Sequence, residues 1–577
     1  MIIETNFNTL KKKVKEDFSK FPKYKVAVLG ESSTQHLVMA IRGYGYINNQ
    51  NLDIYEADID QLDIQILTPD SELYEFNPEY VVIIPSVKKI YKNFCSYSLE
   101  QKKTTAENYL HNYSNLINVL DSKGIKVIIG NLPEINDNVF GNYSNKVEVS
   151  LLYQLRKFNY ELMNFSRNTT NTYIIDINSI CFTHGWNNLF SSNLYVNSDV
   201  IFNFNAMPLI AANISSIINA AKGKLKKCVV LDLDNTLWGG IIGDDGIDKI
   251  EIGNLGIGKA FSEFQKWLLC LKQRGIILCV CSKNEEKVAK EPFISHPDMT
   301  LRLDDISVFV ANWNSKAENI KYIQKVLNIG FDSMVFFDDN PFERNLVKTM
   351  IPDITVPELP ADPAEYLNFL TQLNLFETVS FSNEDLERTK QYQQEAERTA
   401  VKLQFSDEND FLSSLEMVSE VSSLNKYNIP RIAQLSQRSN QFNLRTVRYT
   451  ESDLIKMSEM NGIYFPLAFN LKDKFGDYGL ITVVILKKEA NTLFIENWFM
   501  SCRVLKRGME DFTLNSIINL ARENAIETII GEYIPTSKNE MVANHYLNLG
   551  FISNNGKWLI NIIDYKEKDT KIKTLNI

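Results

Sequence analysis

Residues 228 to 240 read CVVLDLDNTLWGG, and this run limits the fold more than any other in the chain. Cys228, Val229, Val230 and Leu231 make a short continuous apolar stretch, the pattern of a strand buried on both faces. It ends in two carboxylates, Asp232 and Asp234, with Thr236 just beyond. Alternate strand residues share a face, so a pair at i and i+2 can converge on one cation and one phosphate where the strand ends. The plain alternative is two solvated acids at a strand end.

The rest of the chain supplies the setting. Up to about residue 223, the apolar runs YKVAVLG, YVVIIPS, KVIIGNLP and YIIDIN alternate with helical patterns, which implies a parallel sheet covered on both faces. A second α/β block, 224–375, has CVVLDLD, GIILCVCS, VFVANW and SMVFFDD as strands. Residues 376–419, with SFSNEDLERTKQYQQEAERTA, are charged and Gln-rich and read as exposed connector helices. A third block, 420–577, has the strand-like runs GLITVVILKK, TLFIENWFM, ETIIGEYIPT and KWLINI, with a helix over GMEDFTLNSIINLARENA. The expected class is multidomain α/β, and 577 residues suit three or four domains.

Composition removes several classes. Hydrophobic residues are 44% and charged residues 23%, as in a soluble globular protein, and a net charge of −10 argues against a nucleic-acid binder. The seven cysteines are scattered without metal spacing, which suggests reduced thiols. The N-terminus lacks a signal-peptide pattern, and the apolar stretch near 200–220 is broken by Asn203, Asn205, Pro208 and Asn213, so no membrane span is expected and a cytoplasmic location is.

In the middle block, four groups distant in sequence should meet at the carboxyl ends of parallel strands, where open α/β sheets bind ligands. They are Asp232 with Asp234, Ser282 in CVCSKN, Lys316 at the start of a helix with a buried stripe at Ile320, Ile323 and Leu327, and Asp338 with Asp339 in VFFDDN. Carboxylates suit Mg²⁺, a hard cation that screens an anionic Asp from an anionic phosphate. Ser282 and Lys316 suit phosphate oxygens, and Asp234 suits proton transfer to the leaving oxygen. About 45 residues separate the first and second motifs and about 30 the second and third, too few for a large independent lid.

This order, Asp-x-Asp, Ser, Lys, Asp-Asp, resembles the haloacid dehalogenase (HAD) superfamily. The resemblance makes Asp232 the nucleophile and Asp234 the acid/base. It gives the metal to Asp232, Asp338 and Asp234, the last through its backbone carbonyl, with Asp339 a lesser contributor. LDLDNTLWGGIIGDDG, CSKNEE and FFDDNPFER are similar to the FkbH-like family, HAD subfamily IIIC, as are DSELYEFNPEYVVIIPS, QRSNQFNLRT, FGDYGL and SCRVLKRGMED in the flanking blocks.

That resemblance implies glyceryl transfer: 1,3-bisphosphoglycerate loses both phosphates, and the glyceryl unit is loaded onto the phosphopantetheine thiol of an acyl carrier protein for polyketide or related pathways. Asp232 accounts for removal of a monoester phosphate. A thiol is needed for the acyl carbon: Cys281 beside Ser282, Cys502 in SCRV, or the carrier's own thiol. Two rivals stand beside this reading, a plain HAD phosphatase fused to an acetyl-CoA-dependent acetyltransferase, and an inert carrier-docking scaffold.

The flanking blocks carry weaker resemblances. VAVLGESSTQHL resembles the first motif of SGNH-type esterases, with Ser32 as nucleophile and Asn131 of GNLP as oxyanion donor. The matching Asp-x-x-His is missing from IFNFNAMPLIA, so a degenerate domain is expected. The third block resembles GNAT acyltransferases, with Arg503, Lys506, Arg507 and Gly508 preceding a helix start suited to a pyrophosphate or phosphopantetheine arm.

Overall fold

The computed structural model describes residues 6–381, 388–402, 405, 407–536 and 538–575, without the side chains of 388, 389, 396, 397, 399, 400 and 502. The chain forms two compact units, Met1–Asn219 and Ala220–Ile577. The first ends four residues before the expected 223. The HAD-like and C-terminal blocks, read from sequence as separate domains, lie within one unit.

The first unit holds a five-stranded sheet: β1 (Lys23–Gly30), β2 (Asn51–Glu56), β3 (Tyr80–Ile84), β4 (Lys126–Gly130) and β5 (Thr172–Ile175). The order is β2-β1-β3-β4-β5 and every pairing is parallel. β2, NLDIYE, is the strand that the apolar runs did not reveal, because its polar residues occupy alternate positions.

In the second unit, β6 (Cys228–Leu231), β7 (Ile277–Ser282), β8 (Val308–Ala311) and β9 (Met334–Phe337) pair in parallel in the order β8-β7-β6-β9. The first strand is therefore internal, and the order reverses beside it, which opens a crevice at the carboxyl ends. Period-two alternation sends Val229, Leu231, Val280 and Phe337 into one core and Cys228, Val230, Cys281 and Phe336 into the other. Phe337 is fully buried, and truncating it to Ala would cost about 3–5 kcal/mol. Leu231 is in register with both Val280 and Phe337, and Asp232 N–H donates to Phe337 O at 2.9 Å. Asp232 and Asp338 thus leave neighbouring strands side by side. Between β6 and β7 lie the short helix Ile242–Asp245 and the helix Gly258–Gln273, with no sheet of their own among the described residues.

The C-terminal block is an eight-stranded mixed sheet of β10 (Val418–Ser422), β11 (Leu467–Asp473), β12 (Gly476–Glu489), β13 (Thr492–Met500), β14 (Thr528–Gly531), β15 (Ile552–Asn554), β16 (Lys557–Asn561) and β17 (Lys573–Thr574). Its order is β15-β16-β14-β13-β12-β11-β10-β17.

The connector differs from expectation. Its helix Arg388–Lys402 is keyed into both neighbouring blocks rather than exposed. Tyr392 is buried in the core of the HAD-like block, and Gln393 Nε2 donates to Asp304 O and Ile306 O. Arg398 is buried and forms a two-pronged pair with Asp473, 2.8 Å at each prong. Charged composition gave no hint of this, because the charges are neutralised by residues far along the chain. Among the described residues no helix is long and apolar enough to cross a membrane.

Candidate active site

Lys316 opens the helix Lys316–Leu327, whose Ile320, Ile323 and Leu327 are buried as the periodicity predicts. That packing drives the first residue inward, and its ammonium ends 2.8 Å from Asp232 Oδ2 and 2.6 Å from Asp338 Oδ2. All three side chains are nearly or fully buried. Burial pushes the Asp232 carboxyl up to about 6, against the pull of Lys316. Asp338 and Asp339 are also raised, chiefly by burial. Burial opposes the Lys316 charge, yet the two carboxylates hold its ammonium well above the usual range.

Carboxylate oxygens of Asp232, Asp338 and Asp339 lie within 4.8 Å of one another. Three hard oxygen donors without His or Cys suit a cation of the Mg²⁺ type. The Asp234 carboxylate, which the sequence reading did not offer to the metal, is committed elsewhere. Its Oδ1 accepts from Trp238 Nε1 and Ile242 N–H, both at 3.0 Å, and its Oδ2 accepts from Asn284 Nδ2 at 2.9 Å. Three donors hold this carboxylate in one orientation beside the cluster. Asp339, the lesser contributor of the sequence reading, supplies the third carboxylate, and Thr236 fixes it by accepting from its N–H at 3.1 Å and donating to its Oδ1 at 3.3 Å.

Ser282 is buried at the end of β7, and its Oγ accepts from the same Asn284 amide at 3.2 Å. Asn284 therefore ties the second motif to the first. Arg344, also missed by sequence reasoning, donates to Asp338 O at 2.8 Å and Asp339 O at 2.6 Å and fixes the loop after β9. Its signal was present in FFDDNPFER, since the first turn of a helix lies against the loop it follows.

Cys281 is a correction. It is fully buried on the sheet face opposite Ser282, as period two requires, with Sγ 3.7 Å from Lys316 O. Burial pushes its thiol far up, so it is neither accessible nor ionised for attack on an acyl carbon. The Cys502 side chain lies outside the described residues.

The basic turn before the helix Met509–Glu523 also departs from expectation. Arg507 is buried against both Glu395 oxygens at 2.7 Å and Asp473 at 3.4 Å. Arg503 is buried too, and only Lys506 is exposed. Gly508, at φ 81°, forms the left-handed turn into the helix. Arg507 is a structural cation here rather than a ligand for an anion.

In the first unit, Ser32 is 4% exposed, and among the described residues no histidine hydrogen-bonds it. Asn131 is spent on Asp176, to which it donates at 2.7 Å, and on Asn178 N–H, from which it accepts at 3.0 Å. No hydrolytic triad assembles there from the described residues.

A parallel sheet with a buried Asp-Lys-Asp cluster at its switch point defines a HAD-type phosphatase. The sequence pattern of the FkbH N-terminal domain matches residues 25–219. The crystal structure of the N-terminal part of a Bacteroides fragilis protein, containing a phosphatase domain complexed with Mg, is 49% identical; the match covers 65% of this chain and 100% of that one, at a TM-score of 0.63. The chain belongs to the FkbH-like family of the HAD superfamily. The ribosomal-protein-S18-alanine N-acetyltransferase of Escherichia coli, at 16% identity, covers 25% of this chain and 94% of its own, with a TM-score of 0.20. A spermidine N-acetyltransferase of Vibrio cholerae in complex with CoA and spermine, at 13%, covers 25% and 96%, also at 0.20. Such scores carry no weight for the activity of the C-terminal block. No curated protein matches the chain.

Proposed function

We propose that the protein is a Mg²⁺-dependent phosphatase and glyceryltransferase. In this reading it removes the 3-phosphate of 1,3-bisphosphoglycerate and loads the glyceryl unit onto the phosphopantetheine thiol of an acyl carrier protein. The observation that carries the phosphatase half is the convergence of Asp232, Asp338 and Asp339 around Lys316. The Mg²⁺ named for the Bacteroides fragilis relative supports the metal, which when bound would offset the carboxylate charge that repels a phosphate.

An Asp232 oxygen attacks phosphorus, and the bond to the glyceryl oxygen breaks. Asp234 delivers a proton to that oxygen, then takes one from the water that hydrolyses the aspartyl-phosphate. The three donors on Asp234 keep its carboxylate aligned for both transfers. Lys316 balances charge on the transferring group, and Ser282 supports its oxygens.

The same attack on the acyl phosphate would release free glycerate, so the acyl half needs a thiol. With Cys281 enclosed in the core, Cys502 and the carrier's own thiol remain, and direct attack by the carrier thiol is the simpler route because it needs no acyl-enzyme intermediate. A carbon–sulfur bond forms, the carbon–oxygen bond to phosphate breaks, and the thiol proton leaves with the phosphate.

Mass spectrometry of a carrier protein incubated with enzyme, Mg²⁺ and 1,3-bisphosphoglycerate tests this. A gain of one glyceryl group on the phosphopantetheine arm is expected. An unmodified carrier, with phosphate released, would leave a plain phosphatase and end the transferase reading.

A further inference from the structure

A cavity of about 490 Å³ opens at the other end of the HAD-like sheet from Asp232. Lys227 and Ser333, in its wall, precede β6 and β9, whereas Asp232 and Asp338 follow them. The remaining wall comes from the HAD-like block near Gly330 and Asp353, from the helix Arg388–Lys402, and from the C-terminal block near Arg431, Phe442 and Ser501.

Its described lining carries five cations, Lys227, Arg431, Arg438, Arg503 and Lys538, against two carboxylates, Asp332 and Asp353. Lys538 is paired with Asp332, and Lys227 Nζ donates to Arg438 O at 2.9 Å. Beside the cavity, burial pulls Lys224 and Lys226 down to about 8, and Lys538 adds to the fall.

Arg503 decides the matter. It is 9% exposed, and its guanidinium donates only to neutral oxygens among the described residues: Ser501 Oγ at 3.2 Å, Tyr478 O at 3.4 Å and Gln391 Oε1. Arg507, four residues on in the same loop, is neutralised by two carboxylates. A buried cation without a counter-ion is costly. Of these two arginines, the one that lacks a carboxylate partner among the described residues is the one that faces the cavity.

We propose that this cavity is a second phosphate site, in which Arg503 grips the phosphate of an organic phosphate ester, with Lys538 in the same lining. The site is separate from the phosphatase centre and does not depend on the transferase reading. The phosphate could belong to a free metabolite or to a phosphopantetheine arm, which share this chemistry.

The test is calorimetric titration of the full chain with inorganic pyrophosphate in EDTA. Arg503→Gln should weaken binding about tenfold or more, and Arg503→Lys, which keeps the charge, by only a few-fold. Should Arg503→Gln fail to fold, Lys538→Met should still weaken binding several-fold. Bound pyrophosphate should be displaced by 4′-phosphopantetheine if the arm is the ligand, or by 3-phosphoglycerate if a metabolite is. No pyrophosphate binding, affinity indifferent to the folded variants, or displacement by neither ester would overturn the proposal. Phosphatase turnover, with Asp232→Asn as its zero, is read separately, so failure here is distinct from failure of the proposed function.

Discussion

Lys316 Nζ lies 2.8 Å from Asp232 Oδ2, so the lysine of one motif serves as counter-ion to the carboxylate of another. Both side chains are less than a tenth exposed, which means neither charge is tolerable alone. Lys316→Met should therefore destabilise the protein by about 3–5 kcal/mol without divalent cation. Added Mg²⁺ should recover more melting temperature in this variant than in the parent, because it replaces the missing positive charge. Equal recovery in both would mean that the cation does not bind among these carboxylates.

Asn284 holds Asp234 and Ser282 at once, by 2.9 and 3.2 Å contacts. Asn284→Ala frees one prong of the Asp234 carboxylate while leaving it in place. The expected result is a fall in kcat of about 10- to 100-fold for a phosphomonoester, with KM changed little and the pH–rate profile displaced. An unaltered pH profile would show that the amide does not orient the proton-transfer group.

Arg507 is predicted to act through stability alone. Arg507→Met leaves Glu395 and Asp473 without one of their two arginine partners, Arg398 remaining, and should cost about 1–3 kcal/mol, read as a lower urea midpoint. Lys506→Glu, at the exposed position beside it, should leave that midpoint nearly unchanged. Similar losses in both would contradict the assignment of Arg507 as a buried counter-ion.

His545 gives the C-terminal block an acid sensitivity. Burial against Phe442 and Trp498 pulls its imidazole down to about 3 from its ordinary 6.5. The unfolded chain takes up the proton below 6.5 while the folded chain resists until about 3. Stability is therefore lost as pH falls through that window, by about 2 kcal/mol at pH 5. His545→Leu should lose less melting temperature between pH 7 and pH 5 than the parent. The same loss in both would remove His545 as a cause.

The strands of the HAD-like block were legible because CVVL, ILCVCS and MVFF are continuous apolar runs bounded by polar residues. β2 and β10 were not, since NLDIYE and VSEVS bury only some positions. Cys281 was misplaced although the information was present: one step along a strand turns a side chain to the other face, so Ser282 and Cys281 cannot both look toward Asp234. Asp339 was readable as a metal contributor from the paired acids of VFFDDN, whereas the anchoring of the Asp234 carboxylate was not, because Trp238, Ile242 and Asn284 meet it only once folded. The fates of Arg503 and Arg507 depend on Gln391 and Glu395, 112 positions away in each case, and no local pattern encodes such partners.

The most direct test of the central claim is phosphate release from a simple phosphomonoester by the full chain with Mg²⁺, with EDTA, and as Asp232→Asn. Turnover should appear with Mg²⁺, vanish in EDTA, and fall on the order of 10³-fold or more in the variant while its melting temperature is retained. Activity surviving in Asp232→Asn, or indifferent to EDTA, would contradict an aspartate-centred, metal-assisted phosphoryl transfer.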